Sequence, residues 1–409
     1  MKCRYCHKNT DNIFLDLGYA PPSNAYLNHS ELQIPEVFFP LRLYVCESCW
    51  LVQTEAYSKV NELFSKDYAY FSSTSKSWLK HAKDYVNKII KLLNLSSESF
   101  VIEIASNDGY LLKNFVEEKI PCLGIEPTES TADASEKLGV PVVREFFNVS
   151  TAKKIANKGI FADLVCGNNV YAHVPDIKDF TQALKIILKP RGVITLEFPH
   201  LMQLIGKNQF DTVYHEHFSY LSLHTVSNLF SDSGLKIYDV EEISTHGGSL
   251  RIFGCHKEDV RAISHAVKDL INIEAVRGMK NLDTYLSFQD KINKVKNDLL
   301  SFLIEQYNLG KKVVAYGAAA KGNTLMNFAG IKSDLISFVY DASPSKQEKY
   351  TPGSHLKILP PKLLHEDKPD FIVIFPWNIA EEVIDQNRVA FSYGCKFVTF
   401  IPKLKIISS

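Results

Sequence analysis

The chain has 409 residues, with 46 Lys and Arg against 46 Asp and Glu, so its formal charge is zero. That length accommodates two or three domains. The even charge balance speaks against a nucleic-acid binder with a strongly basic face. Apolar content of 45% and charged content of 22% are those of a soluble globular fold. No apolar run approaches the ~20 residues of a membrane span. The start Met1-Lys2-Cys3-Arg4 leads into no apolar signal segment. A cytoplasmic chain with no membrane and no nucleic-acid partner is expected.

Residues 1–66 carry two Cys-x-x-Cys pairs, Cys3/Cys6 and Cys46/Cys49. Each pair can place two thiolates on one side of a turn, and together they complete a tetrahedral all-thiolate zinc site with no open position. His7 is a possible substitute ligand. A redox pair normally opens a helix after a strand, and Cys3 is too near the terminus for that. A strand is expected from Val37 to Val45. Cys122, Cys166, Cys255 and Cys395 are scattered in apolar surroundings and read as reduced core residues.

Residues 67–256 read as an α/β domain. Tyr70 and Phe71 precede a run of hydroxyl residues and a helix over Trp78 to Leu93. Val101 to Ile104 is a buried strand, and Ala105-Ser106-Asn107-Asp108-Gly109 is a tight turn of small residues. A second strand ends at Glu126-Pro127, where a carboxylate can accept both hydroxyls of a ribose. Phe146, after the third strand, either flanks an adenine ring or packs in the core. The buried strand Ala162 to Cys166 runs into Asn168-Asn169, then His173. Two amides at a strand end suit an amino-acid moiety or a substrate hydroxyl. Lys189-Pro190-Arg191-Gly192 is expected as a turn before the strand Val193 to Phe198. Ligands of open α/β sheets bind at the C-terminal strand ends. The pattern suggests a class I methyltransferase sheet holding S-adenosylmethionine through Glu103, Ala105, Ser106, Asn107, Gly109, Glu126, Pro127, Phe146, Asn168 and Asn169. The first turn alone also fits a ligand-free βαβ unit.

Tyr214-His215-Glu216-His217 packs a phenol, two imidazoles and a carboxylate together. A His-x-His pair could bind metal, but no third ligand stands at a recognised spacing. Proton abstraction beside a carbonyl is the competing chemistry: a histidine as base, a carboxylate to orient it, a phenol at the enolate oxygen. An edge pair of strands is expected around Gly234 to Glu241 and His246 to Ile252. In the last third, 257–409, Phe288, Ile292, Val295, Leu299, Phe302 and Leu303 form a helical apolar stripe. Lys312 to Thr324 then reads as strand, small-residue loop and helix, offering backbone N–H groups and Lys321 to phosphate. Its loop is not the G-x-G-x-x-G of a dinucleotide site.

In ordered combination, these motifs resemble the sugar C-methyltransferases of nucleotide-linked 4-keto-6-deoxy sugars. The similarity runs nearly end to end, through the cysteine pairs, Tyr70-Phe71-Ser72-Ser73, Glu103 to Gly109, Tyr214 to Phe218, His246-Gly247-Gly248 and Tyr316 to Lys321. The resemblance implies a class I S-adenosylmethionine-dependent methyltransferase with an N-terminal structural zinc domain and a second, C-terminal Rossmann-like α/β domain. It implies that His217 is the base, at the carbon next to the keto group, typically C-3′. Tyr214 and Glu216 would assist, with Tyr70 and His173 close by. It places His246, Gly317, Lys321, Asn323 and Thr324 on the side of a nucleotide-linked keto-deoxy sugar, bound by a monomer or weak dimer. Ala105 departs from the Gly usual there in class I methyltransferases. A nucleotide-sugar epimerase or dehydratase, and a non-catalytic sugar-nucleotide binding protein, are the alternatives.

Overall fold

A computed structural model describes residues 1–55 and 72–409. Its strands form three sheets, and the central one positions the site. The N-terminal sheet comprises β1 (Ile13–Ala20), β2 (Phe39–Val45) and β3 (Val52–Thr54), all antiparallel. The expected strand from Val37 thus begins at Phe39. The central sheet contains β4 (Val101–Ile104), β5 (Cys122–Ile125), β6 (Val142–Val143), β7 (Ala162–Asn168) and β8 (Leu188–Pro199). Beyond these lie β9 (Ser219–Tyr220), β10 (Leu235–Ile243) and β11 (Ser249–His256).

The spatial order of the central sheet is β10-β11-β8-β7-β4-β5-β6. Strands β6, β5, β4, β7 and β8 are mutually parallel, and β11 runs antiparallel between β8 and β10. Strand order reverses between β4 and β7, so their C-terminal ends open a crevice. Residues 189–192, expected as a turn, instead continue β8, where the pairing with β7 is irregular between Ala162 and Leu164. Helices cover both faces. The helix Lys76–Leu93 is capped by Ser75, whose Oγ accepts from the Trp78 N–H, and it ends at Asn94 in a left-handed conformation.

Short β9 lies outside the central sheet. It pairs with β3 and completes the N-terminal sheet. The residues just before it are thereby tied to the zinc-binding end of the chain. The third sheet has the order β14-β13-β12-β15-β16-β17, with β14 at Ile358–Leu359, β16 at Lys396–Thr399 and β17 at Lys405–Ile407. Its central strands are β12 (Val313–Tyr316), β13 (Val339–Tyr340) and β15 (Phe371–Ile374), all parallel. All six residues of the helical stripe are buried within Phe288–Asn308. Phe288 stacks on Phe14 of β1 at 4.9 Å between ring centres, so the stripe joins the first and last thirds of the chain in one core. Among the described residues, no helix is long and apolar enough to cross a membrane.

Candidate active site

The four N-terminal cysteines converge, with all Sγ atoms within 4.8 Å of one another. Cys3 and Cys49 are 3.5 Å apart, as are Cys6 and Cys46. A tetrahedron of Zn–S bonds has S···S edges of about 3.8 Å, so the donor set fits zinc with little movement. Four thiolates this close repel one another, and a divalent cation between them relieves that repulsion. A hydrogen bond from Cys49 holds the Cys3 thiol down near 4, while the same contact raises Cys49 and burial pushes Cys46 up to about 11. Without metal the cluster shares protons rather than carrying four thiolates. His7 is exposed and outside the group. The other four cysteines are free and buried.

A cavity of about 880 Å³ opens at the C-terminal ends of β4, β5 and β7. All three parts of the chain line it. A shallower depression of about 1200 Å³ lies at the opposite strand ends, beside Phe100, Pro121 and Phe161, and holds none of the candidate residues.

At one end of the cavity is the turn after β4. Every second residue there is left-handed: Ala105 (φ +56°), Asn107 (φ +49°) and Gly109 (φ +77°). Ala105 therefore adopts the glycine-like conformation its position demands, at some steric cost. The turn presents the Asn107 N–H to Glu126 Oε2 at 3.0 Å, and Thr128 N–H donates to Glu126 Oε1 at 2.9 Å. Burial raises the Glu126 carboxyl, and these donors work against the shift. Ala105, Asn107, Glu126, Pro127, Phe146, Asn168 and Asn169 all line the cavity. Both amide atoms of Asn168 and Oδ1 of Asn169 are buried without a partner among the described residues. Unsatisfied groups of this kind are costly unless a ligand completes them. These residues fit S-adenosylmethionine: the acid for a ribose, the amides for an amino-acid end, Phe146 for a ring.

Three of the expected residues do not reach the cavity. Glu103 is fully buried beneath the turn, and burial together with Asp108 and Glu126 pushes its carboxyl well above the usual range. Ser106 is buried against Gly124, and Gly109 packs on Ser135. They shape the turn instead of lining the site.

Farther along the cavity lies the His217 cluster. The short helical turn Phe210–Thr212 and the pairing of β9 fix this segment at both ends. His217 Nδ1 lies 2.9 Å from the Thr212 carbonyl. A carbonyl only accepts, so Nδ1 carries the proton and Nε2 is the basic atom. Nε2 is buried with no partner among the described residues. Burial, reinforced by the neighbouring His173, His246 and Lys321, keeps the imidazole well below its ordinary pKa. The rings of Tyr214 and His173 stand 4.0 and 4.5 Å from that of His217. Asn24 donates to Glu216 Oε1 at 2.7 Å. His215 faces away, with Nε2 on the Pro40 carbonyl at 3.2 Å. Tyr70 lies outside the described residues.

His246 lines the cavity with its backbone at φ +53° and its ring 5.3 Å from Trp78. Lys321 joins from the C-terminal part, with Nζ 2.8 Å from Asn378 Oδ1 and 4.6 Å above the Trp377 ring. Gly317, Asn323 and Thr324 do not line the cavity. Gly317 (φ +91°) sits under Pro376, Asn323 Nδ2 donates to the Ser23 carbonyl at 2.7 Å, and Thr324 Oγ1 donates to the Val213 carbonyl at 2.8 Å. Their polar groups hold the three parts of the chain together. Sequence reasoning missed Asn24, Tyr26, Trp78, Tyr110, Lys346 and Lys349, all on the cavity wall. Only Trp78, an aromatic in the first turn of a helix aimed at the sheet end, left a local signal.

The parallel sheet, its alternating left-handed turn and the acid at the second strand tip define a class I S-adenosylmethionine-dependent methyltransferase carrying a four-cysteine site of zinc-binding type. Family models match a zinc binding domain over residues 3–64, a methyltransferase domain over 78–240 and a C-methyltransferase C-terminal domain over 244–402. The chain is 30% identical over 408 residues to the C-methyltransferase NovU of Streptomyces niveus, covering 100% of this chain and 97% of that one. It belongs to the C-methyltransferase family. Similar solved structures include an S-adenosylmethionine-dependent methyltransferase from Clostridium acetobutylicum ATCC 824, at 13% identity over 44% of this chain and 92% of that one, with a TM-score of 0.35. Another is the magnesium protoporphyrin IX methyltransferase of Synechocystis PCC 6803, at 12% identity over 44% and 82% of the two chains, with a TM-score of 0.34.

Proposed function

We propose that this C-methyltransferase methylates the carbon beside the keto group of a nucleotide-linked 4-keto-6-deoxy sugar, most simply C-3′, with His217 as the base. One observation carries the reading. Among the described residues, His217 Nε2 has no partner and is unprotonated beside the cavity, while its Nδ1–H is tied to the Thr212 carbonyl. A neutral imidazole of fixed tautomer is what abstraction of a carbon-bound proton requires near neutral pH.

The keto group acidifies the neighbouring C–H bond. Nε2 takes that proton, and the C–H electron pair moves into the enolate. The Tyr214 phenol, beside the base, hydrogen-bonds the developing enolate oxygen. Glu216, held by Asn24, orients a sugar hydroxyl. His173 stays neutral, its pKa pushed down to about 4 by burial, so it adds no charge that would compete for the proton. S-adenosylmethionine, when bound, supplies the electrophilic methyl group that the enolate carbon takes up. Glu126, Asn168 and Asn169, which line the same cavity, would hold it. Lys321, Lys346 and Lys349 give the C-terminal wall its positive charge and take the diphosphate of the nucleotide.

The test incubates the protein with S-adenosylmethionine and a panel of nucleotide-linked 4-keto-6-deoxy sugars. The expected product is heavier by one methylene and forms with S-adenosylhomocysteine. In D₂O with S-adenosylhomocysteine, the wild type should exchange the C-3′ proton. His217→Asn should lose roughly 10²- to 10⁴-fold in that exchange, the range for a positioned base. Exchange at the wild-type rate in His217→Asn would sink the assignment.

A further inference from the structure

We propose that Thr324 and Trp377 of the C-terminal part are positioning residues for the His217 imidazole. This rests on the reading of His217 as base. The carbonyl that fixes the tautomer belongs to Thr212, and the residues on both sides of it, Asp211 by its carboxylate and Val213 by its carbonyl, are clamped by the C-terminal sheet's connections. On one side, Trp377 Nε1–H donates to Asp211 Oδ2 at 2.7 Å. On the other, Thr324 Oγ1 donates to the Val213 carbonyl at 2.8 Å. Asp211, Thr212 and Val213 are all buried, so neither contact has water to replace it.

The two clamps stand on cavity-forming elements. Thr324 is one turn beyond Lys321 in the helix Ala320–Ala329. Trp377 lies beneath the Lys321 ammonium and precedes Asn378, to which Lys321 is hydrogen-bonded. Trp377 also packs on Gly247, where an added Cβ would lie 2.2 Å from the indole. Whatever seats the cationic wall therefore also sets the Thr212 carbonyl, and through it the direction of Nε2. The C-terminal part acts on the base through Asp211 and Val213, the neighbours of Thr212, and does not itself touch the reacting atoms.

Thr324→Val removes the hydroxyl and keeps the shape, Thr324→Ser keeps the hydroxyl, and Trp377→Phe keeps a ring under Lys321 but lacks the N–H. With S-adenosylmethionine and the accepted keto sugar, Thr324→Val and Trp377→Phe should each lower kcat about 10- to 100-fold, the scale of a small misplacement. KM should stay within about twofold and S-adenosylhomocysteine binding should be unchanged, while Thr324→Ser should return to within about threefold of wild type. A second readout needs no substrate. In ¹⁵N-imidazole spectra, with the His217 signals assigned by their loss in His217→Asn, the wild type should show the Nδ1–H tautomer and Thr324→Val a mixture. Wild-type kcat together with an unchanged tautomer in Thr324→Val would overturn the proposal. If no keto sugar is a substrate, the functional reading fails, yet the tautomer measurement still decides the positioning.

Discussion

Gly124 of β5 faces the cofactor turn at closer range than any side chain tolerates. A Cβ there would lie 2.4 Å from Ser106 Oγ and 2.9 Å from Ser106 Cβ. Rotating the serine relieves the first clash and leaves the second. Ser106 is fully buried and its N–H is held by the Ile125 carbonyl at 3.2 Å, so it cannot retreat alone. Gly124→Ala must therefore displace the turn 105–109 or spread β4 from β5. Overpacking of this kind costs about 1–3 kcal/mol of stability. If the strain is relieved by moving the turn, the Asn107–Glu126 contact is disturbed and the same energy appears as a 10- to 100-fold loss of S-adenosylhomocysteine affinity, at about 1.4 kcal/mol per tenfold. Urea unfolding and calorimetric titration measure the two quantities. Adding Ser106→Gly removes the atoms that clash and should recover most of both. Affinity within twofold of wild type and an unchanged unfolding midpoint in Gly124→Ala would refute this account of the turn.

The purified chain should contain one zinc ion, and Cys46→Ser should lose it. Structural zinc contributes folding energy directly, so the variant should unfold at a lower temperature while retaining its S-adenosylhomocysteine affinity, because Glu126 and its turn lie on another sheet. An unchanged melting temperature would show that the cluster needs no metal. Burial pushes His246 down to about 4, so it is neutral in the fold and takes up a proton on unfolding below about 6.5. Its contribution is complete above that pH and lost as pH falls toward 4, about 2 kcal/mol by pH 5. His246→Asn, with a residue that tolerates the left-handed backbone, should lose about 2 kcal/mol less than wild type between pH 7.5 and 5.0 in urea unfolding. An equal loss in both would contradict the lowered pKa of that ring.

Much of the chemistry was legible locally. Two Cys-x-x-Cys pairs, a strand ending in a small-residue turn and a second strand ending in an acid each report on groups a few residues apart, where chain geometry leaves little freedom. The helical stripe from Phe288 to Leu303 was readable for the same reason. Within Tyr214 to His217, however, residue types alone left two imidazoles equivalent. The resemblance selected His217, and the tertiary structure supplies the physical distinction. Pairing of β9 with β3 and the turn at Phe210–Thr212 orient the segment so that His215 meets the Pro40 carbonyl and His217 the Thr212 carbonyl.

The same limit explains the displaced expectations. The loop and helix start from Gly317 to Thr324 have the composition of a phosphate site, and Lys321 does reach the cavity. Asn323 and Thr324 do not, because carbonyls about 300 and 111 positions away in sequence come within hydrogen-bonding distance first. Asn24 reaches Glu216 across 192 positions, a contact no local pattern announces. The sequence by itself determined which ligand-binding groups exist and the short-range turns that carry them. Only the tertiary structure decided which of those groups are satisfied within the protein and which are left for a ligand, because a polar atom's last partner is set by whatever distant backbone the fold brings beside it.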